Sequence, residues 1–224
     1  MFPKEANYDE KVAFFRDKVT IYPVSCEPLA NGRSDIEWLE AILAGGARIV
    51  QLRDKYSDDL TLYQKALVFR EKTWKAGALF IVNNRVDIAL LTEADGVHLG
   101  NTDLPAREVR KLVPHLLIGV SCNRPEQAAT AKERGASYFN IGPLYQTETK
   151  KNLTPFLGPD AVRTFSMHCD LPFTVMGGVK LEHVEDLAAL GVRRIAVVTA
   201  LTKAKDIAAE TRRWIEAIEK STAI

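Results

Sequence analysis

The segment Gly142-Pro143-Leu144-Tyr145-Gln146-Thr147-Glu148-Thr149-Lys150-Lys151 gathers two threonine hydroxyls, a glutamine amide and two ammonium groups directly after an apolar run, Tyr138-Phe139-Asn140-Ile141. Hydroxyl and ammonium donors beyond a strand end suit phosphate oxygens or a carboxylate, because hydrogen bonds to ionised acceptors are the stronger ones. Alone, a Lys-Lys pair reads as readily as a solvated loop. Other segments carry the same chemistry. Gln51, Arg53 and Lys55 alternate along the chain, which points them to one side. Two cations beside an amide are costly to bury without an anion. The plainer alternative there is an Arg53–Asp54 surface salt bridge.

Asn83-Asn84 ends one apolar run, and His98-Leu99-Gly100-Asn101-Thr102-Asp103 ends another. Oxygen-bearing side chains at adjacent strand ends could hold Mg²⁺, which takes one or two carboxylates plus substrate phosphate oxygens. As helix caps, Asn84 would precede Arg85-Val86-Asp87-Ile88 and Asp103 the helix opening near Pro105. Ser121 has no histidine beside it and stands in no G-x-S-x-G elbow, so it reads as a phosphate-donating hydroxyl rather than a nucleophile. Gly177-Gly178 and Val198-Thr199-Ala200 end two further runs, where backbone N–H groups can approach an anion. Cys122 reads as a small buried filler and His98 as structural. His115, His168 and His183 take no role.

Eight apolar runs rich in β-branched residues would have to position these groups: Val19–Ser25, Ala47–Leu52, Leu79–Asn83, Gly96–Leu99, Leu116–Ser121, Tyr138–Ile141, Phe173–Met176 and Arg194–Val198. Their lack of polar alternation indicates burial on both faces, as in a parallel sheet. Helical segments lie between them. Asp35 precedes Ile36–Leu43, closed by Gly45-Gly46; Pro125 opens a helix closed by Gly135; Leu181–Leu190 ends at Gly191; Asp206 caps a final helix to about Lys220. Tyr8–Asp17 forms a helix ahead of the first strand. This alternation predicts a single (β/α)8 TIM barrel over residues 1–224, with residues 1–18 as a helical extension. A doubly wound open sheet is the alternative, but no G-x-G-x-x-G follows the first strand. In a barrel, functional residues belong at strand C-terminal ends.

At 224 residues, the chain is within reach of the about 250 common for one such barrel. A net charge of +1 gives no long-range field for nucleic acid or an anionic membrane. No apolar run approaches the roughly 20 residues needed to span a bilayer. The N-terminus lacks a signal-peptide core, and the three cysteines form no CxxC. A cytoplasmic protein without nucleic-acid or membrane partners is expected.

Together, Gln51-Leu52-Arg53-Asp54-Lys55, Val82-Asn83-Asn84-Arg85, Ala94-Asp95-Gly96-Val97-His98-Leu99-Gly100, Gly119-Val120-Ser121, the Gly142–Lys151 segment and Gly177-Gly178 resemble the thiamine phosphate synthase family. The G-P-x-x-x-T-x-T-K piece is the most specific. The resemblance implies small-molecule substrates, hydroxymethylpyrimidine diphosphate and a thiazole phosphate or its carboxylated form, with Mg²⁺ as cofactor. It implies a dissociative reaction, in which departing diphosphate leaves a pyrimidine-stabilised cation for the thiazole nitrogen to capture. Carried over, Arg53, Lys55, Asn83, Ser121 and Lys150 hold diphosphate, and Gln51 and Tyr22 contact the pyrimidine. Asn84 and Asp103 hold the metal. Thr147 and Thr149 face the thiazole, while Gly178 and the backbone of Val198 and Thr199 hold its phosphate. The family usually carries Asp at the position of Asn84, Gln at Asn101 and Ser at Thr199. Rival readings are a thiazole tautomerase, whose acid–base histidine is replaced here by Asn123, and a non-catalytic phosphate-binding relative. A homo-oligomer is left open.

Overall fold

The computed structural model describes residues 6–147 and 156–222. Its strands are β1 (Ile21–Pro23), β2 (Ile49–Leu52), β3 (Leu79–Asn83), β4 (Gly96–Leu99), β5 (Leu117–Cys122), β6 (Tyr138–Ile141), β7 (Phe173–Val175) and β8 (Ile195–Val197). They form one parallel sheet in the order β1-β8-β7-β6-β5-β4-β3-β2. The seam between β1 and β2 is closed by a parallel bridge, Val24 to Gln51, and by the Ser25 N–H donating to the Gln51 carbonyl at 2.9 Å. The predicted barrel is therefore present, with every predicted run contributing a strand.

The helices are α1 (Tyr8–Lys18), α2 (Asp35–Ala44), α3 (Asp59–Ala76), α4 (Val86–Leu91), α5 (Ala106–Leu112), α6 (Pro125–Ala129), α7 (Ala161–Ser166), α8 (Val184–Ala189), α9 (Thr199–Thr202) and α10 (Ile207–Thr222). Ser34, not Asp35, caps α2: its Oγ accepts from the Glu37 N–H, and the Glu37 carboxylate accepts from the Ser34 N–H. Such a reciprocal box satisfies donors that a helix start leaves open. Asp35 is thereby freed to turn inward, where it is buried. Asp206 does cap α10, accepting from the Ala209 N–H at 2.9 Å. No helix among the described residues is long and apolar enough to cross a membrane.

One buried cluster lies between strands and helices and includes Trp38, Phe69, Phe80 and Trp214. A second unites Tyr22, Ile49, Leu79, Ile81, Leu117, Tyr138 and Ala196 from the strands with Phe15 of α1. Phe15 stacks on Tyr138 with ring centroids 4.4 Å apart, and meets Tyr22 edge-on at 6.3 Å. Offset and edge-to-face contacts of this kind stabilise beyond simple burial. The helix ahead of β1 thus contributes an aromatic ring to the cluster that holds Tyr22 and Tyr138. Gly119 stands opposite Tyr138 in the β5–β6 ladder, and a Cβ there would fall on the Tyr138 ring. Only glycine leaves that ring its place.

Candidate active site

Six consecutive strands each send one polar side chain into a single hydrogen-bonded chain. Asn83 Nδ2 donates to Gln51 Oε1 at 2.9 Å, and Gln51 Nε2 donates to the Tyr22 hydroxyl at 2.8 Å. The Tyr22 and Tyr138 hydroxyls meet at 2.8 Å, Tyr138 reaches His98 Nδ1 at 3.3 Å, and His98 Nε2 lies 3.0 Å from Ser121 Oγ. Burial pushes both tyrosine hydroxyls well above the usual phenol range, so both keep their protons. Satisfied polar groups of this kind are what a buried site can retain. The chain joins four residues expected from the sequence: Tyr22, Gln51, Asn83 and Ser121. Its other two members are His98, buried and bonded as a structural residue would be, and Tyr138, which the sequence shows only as part of a strand; the glycine opposite Tyr138 is the sequence signal for its ring.

The loop after β2 carries Arg53 and Lys55. Arg53 is half-buried; its backbone N–H donates to Ser25 Oγ at 3.0 Å, and its guanidinium lies 4.0 Å from Cys26 Sγ. Lys55 is exposed. The Arg53–Asp54 salt bridge does not form. Asp54 instead turns to α3, where Lys65 Nζ lies 2.6 Å away, and it accepts from the Ser57 hydroxyl at 2.6 Å and the Tyr56 and Ser57 N–H groups. Burial raises the Asp54 carboxyl, but these donors outweigh it and hold the group below the usual carboxylate range. Asp54 therefore does not neutralise Arg53.

Lys65 also meets Glu27 at 2.7 Å and the buried Asp35 at 2.9 Å. The oxygens of Glu27, Asp35 and Asp54 lie within 4.8 Å of one another, a spacing that a metal would accept. The Lys65 ammonium already lies among them. Burial pushes the Asp35 carboxyl up to about 6 even so, and its Oδ1 makes no hydrogen bond among the described residues.

Neither Asn84 nor Asp103 caps a helix. α4 begins after Arg85 and α5 after Pro105, both without a side-chain cap. Asn84, at φ 65°, instead aims Nδ2 at Asp103 Oδ1, 2.7 Å away, while Asp103 Oδ2 accepts from the Gly100 N–H at 2.6 Å. Asn tolerates that left-handed backbone better than most residues. An amide and a carboxylate that converge in this way fit a Mg²⁺ ion whose other ligands are phosphate oxygens and water. The amide would then present Oδ1, since its nitrogen cannot ligate a cation.

The far side of the mouth comes from β6, β7 and β8. Thr147 is half-buried at the edge of the described residues; Thr149 and Lys150 lie outside them. The base of this loop is laced together: Leu157 N–H donates to Pro143 O and Gly158 N–H to Leu144 O, each at 3.0 Å. Tyr145 stacks on His183 at 4.0 Å. Gly178, at φ 64°, lies so close to this loop that a Cβ would strike the Gln146 carbonyl, and one at Gly177 would strike Pro143. The glycine pair thus has a packing reason, the close approach of the β7 turn to the β6 loop. Val198 and Thr199, both half-buried, carry the chain from β8 directly into α9. Cys122 is the expected filler, its thiol pushed up to about 12 by burial.

Comparison with known proteins gives a consistent result. The sequence profile described as Thiamine monophosphate synthase matches residues 21–201. The chain is 37% identical over 213 residues to the thiamine-phosphate synthase of Caldicellulosiruptor saccharolyticus, covering 95% of this chain and 96% of that protein. It is 41% identical to that of Methanospirillum hungatei, covering 88% and 96% respectively. Among solved structures, thiamine phosphate pyrophosphorylase from Pyrococcus furiosus superposes with a TM-score of 0.85 at 29% identity, covering 92% of this chain and 98% of that one. The chain belongs to the thiamine monophosphate synthase family.

Proposed function

We propose that this protein is a thiamine phosphate synthase, a transferase that couples hydroxymethylpyrimidine diphosphate to a thiazole phosphate, or its carboxylated form, with release of diphosphate. The observation that carries the reading is the hydrogen-bonded chain, which ties the pyrimidine-side residues Gln51 and Tyr22 to the diphosphate-side residues Asn83 and Ser121. Arg53, Lys55, Asn83, Ser121 and Lys150 take the diphosphate. Thr147 and Thr149 face the thiazole, and Gly178 with the backbone of Val198 and Thr199 takes its phosphate.

The scissile C–O bond breaks with its electron pair going to the diphosphate, and the resulting methylene cation accepts the thiazole nitrogen lone pair. Fixed donors and cations aimed at the growing charge favour that departure, and the barrel mouth shields the cation from water. Asp103 and the Asn84 amide oxygen would hold Mg²⁺, which supplies positive charge to the diphosphate oxygens. No step requires a protein base, which suits a site whose histidine is engaged with Tyr138 and Ser121. We place the protein in the cytoplasm, a reading supported by three free cysteines.

Diphosphate release is expected only when both substrates and Mg²⁺ are present. Absence of release at saturating concentrations of all three overturns the reading.

A further inference from the structure

The hydrogens of the buried chain can be counted, and the count has a direction. Asn83 donates to Gln51, and Gln51 donates to the Tyr22 oxygen. A phenol carries one hydrogen, so Tyr22 passes its own to Tyr138, and Tyr138 passes its own to His98 Nδ1. Nδ1 is then an acceptor. The proton of a neutral imidazole sits on Nε2, which donates to Ser121 Oγ at 3.0 Å. An imidazolium would donate from both nitrogens and turn the Tyr138 hydrogen back towards Tyr22. The Tyr22 hydrogen, wholly buried and facing a second donor in Gln51, would then have no acceptor within the chain, a costly arrangement.

We infer that the chain runs one way, from Asn83 to Ser121, and that His98, held as its Nε2–H tautomer, positions Ser121 to give its hydroxyl hydrogen to a phosphate oxygen. The inference rests on the functional reading only in naming the phosphate. Ser121 has a single hydrogen. Were the chain reversed, that hydrogen would go to His98 and the Ser121 oxygen would face the anion with lone pairs. Tyr138 and His98 are positioning residues: they act through Ser121.

The tautomer is measurable in the full chain without ligand. Long-range ¹H–¹⁵N NMR on protein labelled at histidine, with signals assigned through His115→Gln, His168→Gln and His183→Gln, should find His98 protonated at Nε2 and bare at Nδ1 at neutral pH. Protonation at Nδ1, or at both nitrogens, overturns the proposal. The second arm is calorimetric binding of inorganic diphosphate with Mg²⁺. Tyr138→Phe should weaken it about tenfold but cause no further loss in a Ser121→Ala background, since coupled residues are non-additive. Equal losses in both backgrounds would make Tyr138 merely structural and overturn the positioning role. If Tyr138→Phe does not fold, the tautomer measurement still decides. An Nε2–H His98 in a protein that binds no diphosphate would keep the directed chain and overturn its link to phosphate, together with the functional reading.

Discussion

Lys65→Met is expected to cost about 3–5 kcal/mol of folding stability, the range for removing one partner from a buried ion group. The variant keeps the length of the aliphatic stem, so packing is nearly conserved, and removes the ammonium with its three hydrogen bonds to Glu27, Asp35 and Asp54. What remains is three carboxylates within 4.8 Å of one another, one of them, Asp35, only 1% exposed. Their mutual repulsion has no internal counter-ion. The loss should also reach activity, because Asp54 is the residue between Arg53 and Lys55 and Lys65 holds it against α3. The pH dependence has a definite sign. In the wild type, the depressed Asp54 pKa contributes stability present above the usual carboxylate range, lost as pH falls through its folded value. Asp35 acts oppositely: with its pKa pushed up to about 6, it favours folding below the usual carboxylate range and loses that contribution as pH rises through about 6. Without Lys65 the carboxyls bind protons more readily, so the gap between wild type and variant should narrow in acid. Urea unfolding at pH 7 and pH 5 measures this. A difference below about 0.5 kcal/mol at pH 7, typical of ordinary surface substitutions, would mean that the cluster is not a stabilising unit. Adding Asp35→Asn to Lys65→Met should recover part of the loss, since it removes the most buried of the stranded charges.

The fold was legible in the sequence because a parallel barrel writes itself locally. Each strand is buried on both faces, so Leu79–Asn83, Gly96–Leu99 and Tyr138–Ile141 stand out as short apolar runs with the same limits in the structure. The candidate site was half legible for the same reason: Arg53, Asn83 and Ser121 fall at or near strand ends. What joins Asn83 to Ser121 was not legible. Tyr22 and Tyr138 meet across 116 positions of chain, and only the register that sets Gly119 opposite Tyr138 makes room for the second ring. Local readings failed where a short-range rule met a long-range partner. Asn84 and Asp103 fit a capping pattern, yet each is spent on the other. Asp54 stands beside Arg53 but pairs with Lys65, eleven positions away on α3. Neighbours in sequence were the wrong guide wherever a helix or loop packed against the strand end carried a stronger partner.

Asn84→Asp is expected to tighten Mg²⁺ binding roughly 30-fold. At Asn84 an amide nitrogen donates to Asp103 Oδ1 at 2.7 Å, so the pair is content without metal. Exchanging the amide for a carboxylate replaces that bond with two like charges at contact distance. A unit charge about 4 Å from another gains about 1 kcal/mol even in water. A divalent ion doubles that to about 2 kcal/mol, which is the roughly 30-fold expected. The backbone should not interfere, since Asp shares the tolerance of Asn for the φ of 65° found here. Two measurements follow, both independent of turnover. By calorimetry in the absence of substrate, the variant should bind Mg²⁺ measurably more tightly than the wild type. By thermal unfolding, it should be less stable than the wild type without metal and gain more when Mg²⁺ is added, because a ligand that binds only the folded state stabilises by mass action. Asn84→Ala separates charge from the loss of the hydrogen bond: it breaks the contact to Asp103 yet offers no new ligand, so its Mg²⁺ affinity should not rise. Equal Mg²⁺ affinities, within about twofold, for wild type and Asn84→Asp would rule out residue 84 as a ligand. The amide would then serve only to hold Asp103.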